Sequence, residues 1–257
     1  MEPWARRRQT IILGVAAFAA LGVATLVYFN YRPAPSCSDG AQNQGELATD
    51  CGGPCAGVCA SEVRPLIVEW VRVFHVVGGL YDVVARVTNP NETIGTLLLT
   101  YTFELFDSEN LSITRRTQST FVNPNESFYI FESFIPAGAR IPARAVVTLN
   151  QSPQWTRFES SPPKLSIIGK RYRGEPTPLV TAELVNGTLV TQNNVRAIVV
   201  LYDEEGLAYG ASATLVKSIS KDGREPLSFT WPVSFGTEPV RMDIQSRVSV
   251  WDDVATP

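Results

Sequence analysis

Residues 99–111 read LTYTFELFDSENL and residues 197–207 read AIVVLYDEEGL. Each is a run of strand-forming residues closed by an aromatic–Asp step and an acidic turn. Leu105-Phe106-Asp107-Ser108-Glu109-Asn110-Leu111 parallels Leu201-Tyr202-Asp203-Glu204-Glu205-Gly206-Leu207. Further upstream, Ala85-Arg86-Val87-Thr88-Asn89 parallels Ala182-Glu183-Leu184-Val185-Asn186. Asn89 and Asn186 are 97 positions apart, and Asp107 and Asp203 are 96 apart. A nearly shared offset at two landmarks predicts a duplicated unit. The period is too long for a solenoid repeat and suits two complete β-sandwiches. The expected boundaries are 63–160 for the first sandwich and 161–252 for the second, with Ser160-Ser161-Pro162-Pro163 as a short stiff linker.

The rest of the chain beyond residue 63 agrees with an all-β reading. Short runs rich in Val, Ile, Thr, Tyr and Phe alternate with turn signals such as Asn89-Pro90-Asn91, Asn123-Pro124-Asn125, Asn186-Gly187 and Asp222-Gly223. Leu99, Tyr101, Phe103 and Leu105 share one face by period-two alternation, and so do Val83, Ala85 and Val87. The stretch YDVVARVT, Tyr81–Thr88, alternates only partially. In the aromatic–Asp step, Leu201 and Asp203 lie on one face and Tyr202 on the other. Asp203 then ends its strand, where its carboxylate accepts backbone N–H groups of the following turn. This is a structural role rather than a catalytic one.

The first thirty residues set the compartment. Residues 11–28, IILGVAAFAALGVATLVY, carry no charge and no proline. As a helix rising about 1.5 Å per residue, such a run matches the hydrocarbon thickness of a bilayer. We expect a transmembrane helix over 11–29 with residues 1–10 cytoplasmic. Arg6, Arg7 and Arg8 precede the run, and Trp4, Tyr28, Phe29 and Tyr31 flank it as interfacial aromatics. A cleaved signal peptide is the competing reading, and a lipoprotein modified at Cys37 a third; all three export the chain. The whole chain of 257 residues carries 22 basic and 25 acidic residues, a net charge of −3. The part beyond residue 32 has 18 basic and 24 acidic residues, so no basic surface offers itself to nucleic acid.

All four cysteines fall in CSDGAQNQGELATDCGGPCAGVC, at Cys37, Cys51, Cys55 and Cys59, within an expected module over 36–60. The segment has almost no large apolar residues, so a covalent or metal tie must order it. Outside the cytoplasm an even cysteine count reads as two disulfides, with three connectivities open. A four-thiolate zinc site is the alternative. Asp39, Asn43, Glu46 and Asp50 recur every three or four residues among glycines, a spacing that could supply calcium with hard oxygen ligands. A polar solvated linker is the plainer reading of the same residues. Calcium is the single cofactor the sequence suggests.

Catalytic signatures are missing. There is no G-x-S-x-G, H-E-x-x-H, P-loop or G-x-G-x-x-G sequence. His75 is the only imidazole and lies in a strand-like run beside Phe74 and Val76. The N-x-S/T sequons at Asn91, Asn110, Asn125, Asn150 and Asn186 would be glycan sites in a eukaryotic secretory pathway, and in a bacterial source read as turn chemistry.

The cysteine segment resembles a C-x-D-G-x-x-N-x-x-E-x-x-x-D-C-G-G-x-C signature of exported, largely bacterial proteins, through Cys37, Asp39, Gly40, Asn43, Glu46, Asp50, Cys51, Gly52, Gly53 and Cys55. Both later halves resemble the FxLYD type of extracytoplasmic domain. The second half carries Leu201-Tyr202-Asp203, with Val199 in place of the leading Phe. The first carries Phe103, Leu105, Phe106 and Asp107, with Phe106 in place of the Tyr. The first half is also similar to the water-stress and hypersensitive-response sandwich type through Val87-Thr88-Asn89-Pro90-Asn91. These resemblances imply immunoglobulin-like sandwiches in a cell envelope and supply no catalytic residues.

The expectation is therefore a mainly β protein with one N-terminal transmembrane helix, a cysteine-rich module and two tandem Ig-like sandwiches. It would be a non-enzymatic binding, adhesion or envelope-assembly module, anchored in the cell membrane with its C-terminal part outside. Its partner would be an envelope protein or a glycan. A glycan- or peptidoglycan-associated accessory protein would instead expose Trp155, Trp231 or Trp251 on one face. A pure spacer would have no individually sensitive loop.

Overall fold

The computed structural model describes residues 3–31, 34–150, 154–158 and 162–251. Helix α1 spans Pro3–Tyr31. Thirteen strands follow among the described residues, and the protein is mainly β. Arg32, Ser160 and Ser161 lie outside the described residues, so the expected linker is described only from Pro162 onward.

Two units are distinct, Met1–Pro54 and Cys55–Pro257. In the first, α1 begins eight residues before the apolar run, because nothing in Pro3–Thr10 breaks a helix once its N-terminal turn is made. Arg7–Tyr31 is long and apolar enough to cross a membrane, with a mean hydropathy of 2.4. None of that span is buried against protein. The loop after it is held by its own polar groups, described below.

The second unit opens with a 3-10 turn, Ala60–Glu62, and then strands β1 (Ile67–Val77), β2 (Leu80–Thr88), β3 (Ile94–Phe106), β4 (Ser112–Val122), β5 (Ser127–Pro136), β6 (Arg144–Leu149) and β7 (Thr156–Arg157). Its later part holds β8 (Ser166–Arg173), β9 (Leu179–Val185), β10 (Gln192–Tyr202), β11 (Ala208–Ile219), β12 (Arg224–Thr230) and β13 (Arg241–Arg247). The earlier strands form two sheets, β1-β2-β5 and β4-β3-β6, with β7 beside the start of β3. The later strands form β8-β9-β12 and β11-β10-β13. The two orders are the same once each strand of the first half is matched to its counterpart in the second. Every ladder is antiparallel.

Three cores hold these sheets. The first lies between β1-β2-β5 and β4-β3-β6, and contains Val83, Ala85, Val87, Leu99, Tyr101, Phe103 and Leu105, the two faces that alternation predicts. The second packs Val195, Ala197, Val199 and Leu201 of β10 against Leu184, Leu227 and Phe229. The third joins the halves: Phe74, Val84 and Tyr129 meet Ile198, Val200, Tyr202 and Ala211. The order of layers is thus β4-β3-β6, β1-β2-β5, β11-β10-β13, β8-β9-β12. Both inner sheets are covered on both faces. This explains why Tyr81–Thr88 and Ala197–Tyr202 lack clean alternation: a strand with no solvent face has no reason to place polar residues at every second position.

Candidate functional site

In the cysteine segment all four cysteines are disulfide-bonded. Of the residues expected to hold calcium, the carboxylates of Asp39, Glu46 and Asp50 are turned onto the loop's own donors, whereas the Asn43 side-chain oxygen is buried without a hydrogen-bond partner. Asp39 accepts the Ser36 and Ala41 backbone N–H groups and, at 2.7 Å, the Asn43 side-chain amide. That amide bond first, with the two backbone bonds, holds the Asp39 carboxyl below its ordinary value. Both oxygens of Asp50 accept from Gly40 N, and Glu46 accepts from Asn43 N and Asp50 N. Among the described residues, the carboxylates of Asp39, Glu46 and Asp50 do not converge as a metal-ligand group. The loop is tight at Gly53, where φ is +58° and a Cβ would lie 2.2 Å from the Gly45 carbonyl.

The aromatic–Asp motif builds the same turn twice. Asp107 N–H bonds the Leu111 carbonyl and Asp203 N–H the Leu207 carbonyl. Each carboxylate accepts back from the turn, Asp203 from Leu207 N at 2.7 Å and Asp107 from Leu111 N at 2.9 Å and Glu109 N at 3.0 Å. Asn110 and Gly206 occupy the equivalent left-handed position. Asp107 also pairs with Arg140; this bond first holds its carboxyl below the ordinary value. Phe103, Leu105 and Leu201 are core residues, Phe106 lies under the Arg144 guanidinium, and Tyr202 enters the third core.

A buried polar network lies where the halves meet. The Tyr129 hydroxyl donates to Asp243 at 2.5 Å and sits 2.9 Å from the Tyr202 hydroxyl, while Arg86 donates to it at 3.1 Å. Burial first, then the bond to Asp243, raise the Tyr129 pKa, so its hydroxyl remains a donor. Arg247, 4% exposed, holds both oxygens of Glu126 and the Phe121 carbonyl at 2.8–2.9 Å. Its guanidinium also lies over Phe128 and Phe121. Asn123 donates to Val248 O and accepts from Val250 N. Composition did not single out any of these residues.

Besides a cleft of about 170 Å³ lined by Arg86, Tyr129, Asp243 and Gln245, two larger clefts flank this seam among the described residues. One, of about 340 Å³, is lined by Tyr101, Phe131, Arg196, Ile198, Leu215 and Arg247. The other, of about 260 Å³, is lined by Phe74, Asp82, Gly210, Trp231, Ser234 and Phe235. Asp82 is 6% exposed, and its resolved partner is the Phe134 backbone N–H at 2.9 Å, at a β-bulge where Phe134 has φ +53°. Burial, opposed by that one bond, pushes its pKa up from 3.8 to about 6. His75 lines the rim of the same cleft, but its ring packs edge-on to Tyr81 at 5.2 Å and bonds the Gly78 carbonyl. In the ladder Phe74 faces Asp82 and His75 faces Tyr81, so the imidazole and the carboxylate leave the sheet on opposite faces.

A stability prediction follows from Asp82. Between pH 4 and pH 6 the native protein holds a proton that the unfolded chain releases, so stability falls as pH rises through that window. A rise of two pH units in pKa corresponds to roughly 2–3 kcal/mol lost above pH 6. Asp82→Asn keeps the acceptor for Phe134 and should recover most of this at pH 8 and little at pH 4.5, measured by urea unfolding at both values.

Of the tryptophans, Trp231 is buried with its indole N–H on the Ala211 carbonyl, and Trp155 and Trp251 are half-buried. The sequons divide as well: Asn91 and Asn186 are buried, while Asn110, Asn125 and Asn150 are exposed.

No family model matches the chain, and no curated protein matches it. Among solved structures, red sea bream transglutaminase is similar over 69% of this chain at 14% identity with a TM-score of 0.21, which carries no argument about fold or activity. The chain spans 29% of that structure's length.

Proposed function

We propose that this protein is a single-pass membrane protein that presents a non-catalytic, FxLYD-type tandem Ig-like body outside the membrane as a binding or assembly module. The observation that carries the reading is the succession of an unburied apolar helix and a segment whose four cysteines are all in disulfides. A disulfide-tied segment belongs to an oxidising compartment, and Arg6–Arg8 before the uncharged run at residues 11–28 favour an N-terminus in the cytoplasm. The repeated strand order and the repeated Asp turn support duplication of one sandwich. The buried indole of Trp231 weighs against a flat aromatic platform for a glycan, so a protein partner is the preferred ligand.

Two measurements test the reading. Protease added to sealed, right-side-out membrane vesicles should digest everything beyond residue 31 and leave the N-terminus protected. Chemical crosslinking on intact cells should then capture a specific envelope protein on the β unit. Protection of the β unit, or turnover of a substrate by the purified chain, would contradict it.

A further inference from the structure

The cleft beside the seam contains a charge without a counter-charge. One oxygen of Asp82 accepts the Phe134 N–H. No donor or cation among the described residues meets the other, and no positive group acts on the carboxyl. Aromatic side chains make up part of the wall, Phe74 from β1 and Trp231 and Phe235 after β12, beside Gly210 of β11, and the polar residues His75 and Ser234 line it as well. Phe235 packs edge-on to Trp231 at 5.5 Å. It fits because residue 210 is glycine, where a Cβ would stand 2.9 Å from the ring. Holding the Phe134 bulge needs only one carboxylate oxygen, and an amide would serve as well. The charge and the free oxygen therefore remain unexplained by structure alone.

We propose that this cleft receives the ε-ammonium of a lysine side chain from the partner polypeptide. A desolvated carboxylate gains most from a cation that reaches it, and aromatic walls add attraction for the same charge. The lysine stem lies along the apolar wall while its head meets Asp82. A guanidinium fits less well, because its rigid fork pairs best with both oxygens of a carboxylate and Asp82 has one of its two already on the Phe134 N–H. A bare divalent ion fits worse, since it needs several oxygen ligands.

The proposal rests on the binding-module reading and deepens it. Its test uses the full chain in zwitterionic detergent at pH 8, with saturation-transfer NMR of four probes: n-butylammonium, its neutral isostere n-butanol, and the blocked tripeptides acetyl-Gly-Lys-Gly-amide and acetyl-Gly-Arg-Gly-amide. The wild type should bind n-butylammonium and the lysine peptide at least tenfold more tightly than n-butanol, and the lysine peptide more tightly than the arginine one. D82N, which keeps the acceptor for Phe134, should lose at least tenfold for both amines while its circular dichroism is unchanged. Equal binding by D82N, equal binding of n-butanol, or preference for the arginine peptide would overturn the lysine cleft. If D82N still captures the same envelope protein on cells as the wild type, the cleft proposal fails and the binding-module reading stands.

Discussion

Arg247→Met is expected to destabilise the β unit by about 3–5 kcal/mol, the cost of leaving one member of a buried ion pair alone. Arg247 lies at the end of β13 and reaches across the seam to Glu126, which precedes β5. Its side chain is 3% exposed and that of Glu126 12%. The substitution keeps a long apolar stem against Phe121 and Phe128, so the loss reports the charge and its hydrogen bonds rather than a cavity. Removing both partners, as Arg247→Met with Glu126→Gln, should recover more than half of the loss, because no buried charge then remains uncompensated. Chemical denaturation of the single and double variants checks both statements.

Asn186→Ala is the second large effect, expected at roughly 3 kcal/mol from several buried backbone groups losing their partner at once. Asn186 has no exposed surface. Its amide donates to the carbonyls of Val190, Ile219 and Ser220, and its oxygen accepts from Thr188 N. Asn89 does the same work in the first half, donating to Ile94 O and Asn123 O and accepting from Asn91 N. Asn89→Ala should therefore cost a similar amount. Asn186→Asp should be nearly as damaging as Ala, because a carboxylate cannot donate to the three carbonyls. Thermal unfolding of the three variants against the wild type measures the order.

These two sites show what was legible in the sequence. The offset that pairs Asn89 with Asn186 was visible because both asparagines perform a local task, tying a turn to the neighbouring hairpin, and local tasks leave the same residue at the same spacing. The aromatic–Asp turn was visible for the same reason, down to the carboxylate that accepts backbone N–H groups. The core faces at Leu99–Leu105 and Val83–Val87 followed from the period of a strand. Arg247, Glu126, Tyr129 and Asp243 were not legible, since each is defined by a partner more than a hundred residues away. One trace of the seam lies in the sequence: Ala197–Tyr202 and Tyr81–Val87 carry apolar residues on both faces, which fits a strand covered from two sides. Asp82 interrupts that apolar pattern at a buried position, and such an interruption is where a site is expected.

The seam also decides how the β unit behaves. Two sandwiches joined only by a linker would unfold separately, whereas sheets β1-β2-β5 and β11-β10-β13 share a core and a set of buried polar bonds. A partner that touched either half would then feel a single rigid body, and the position of the Asp82 cleft relative to the loops of both halves would be fixed. The most direct measurement is differential scanning calorimetry of the full chain with its disulfides intact. The account predicts one unfolding transition for the β unit, with calorimetric and van't Hoff enthalpies equal, and a common shift of that transition in Arg247→Met. Two separate transitions, with only the later-strand one moved by Arg247→Met, would contradict it.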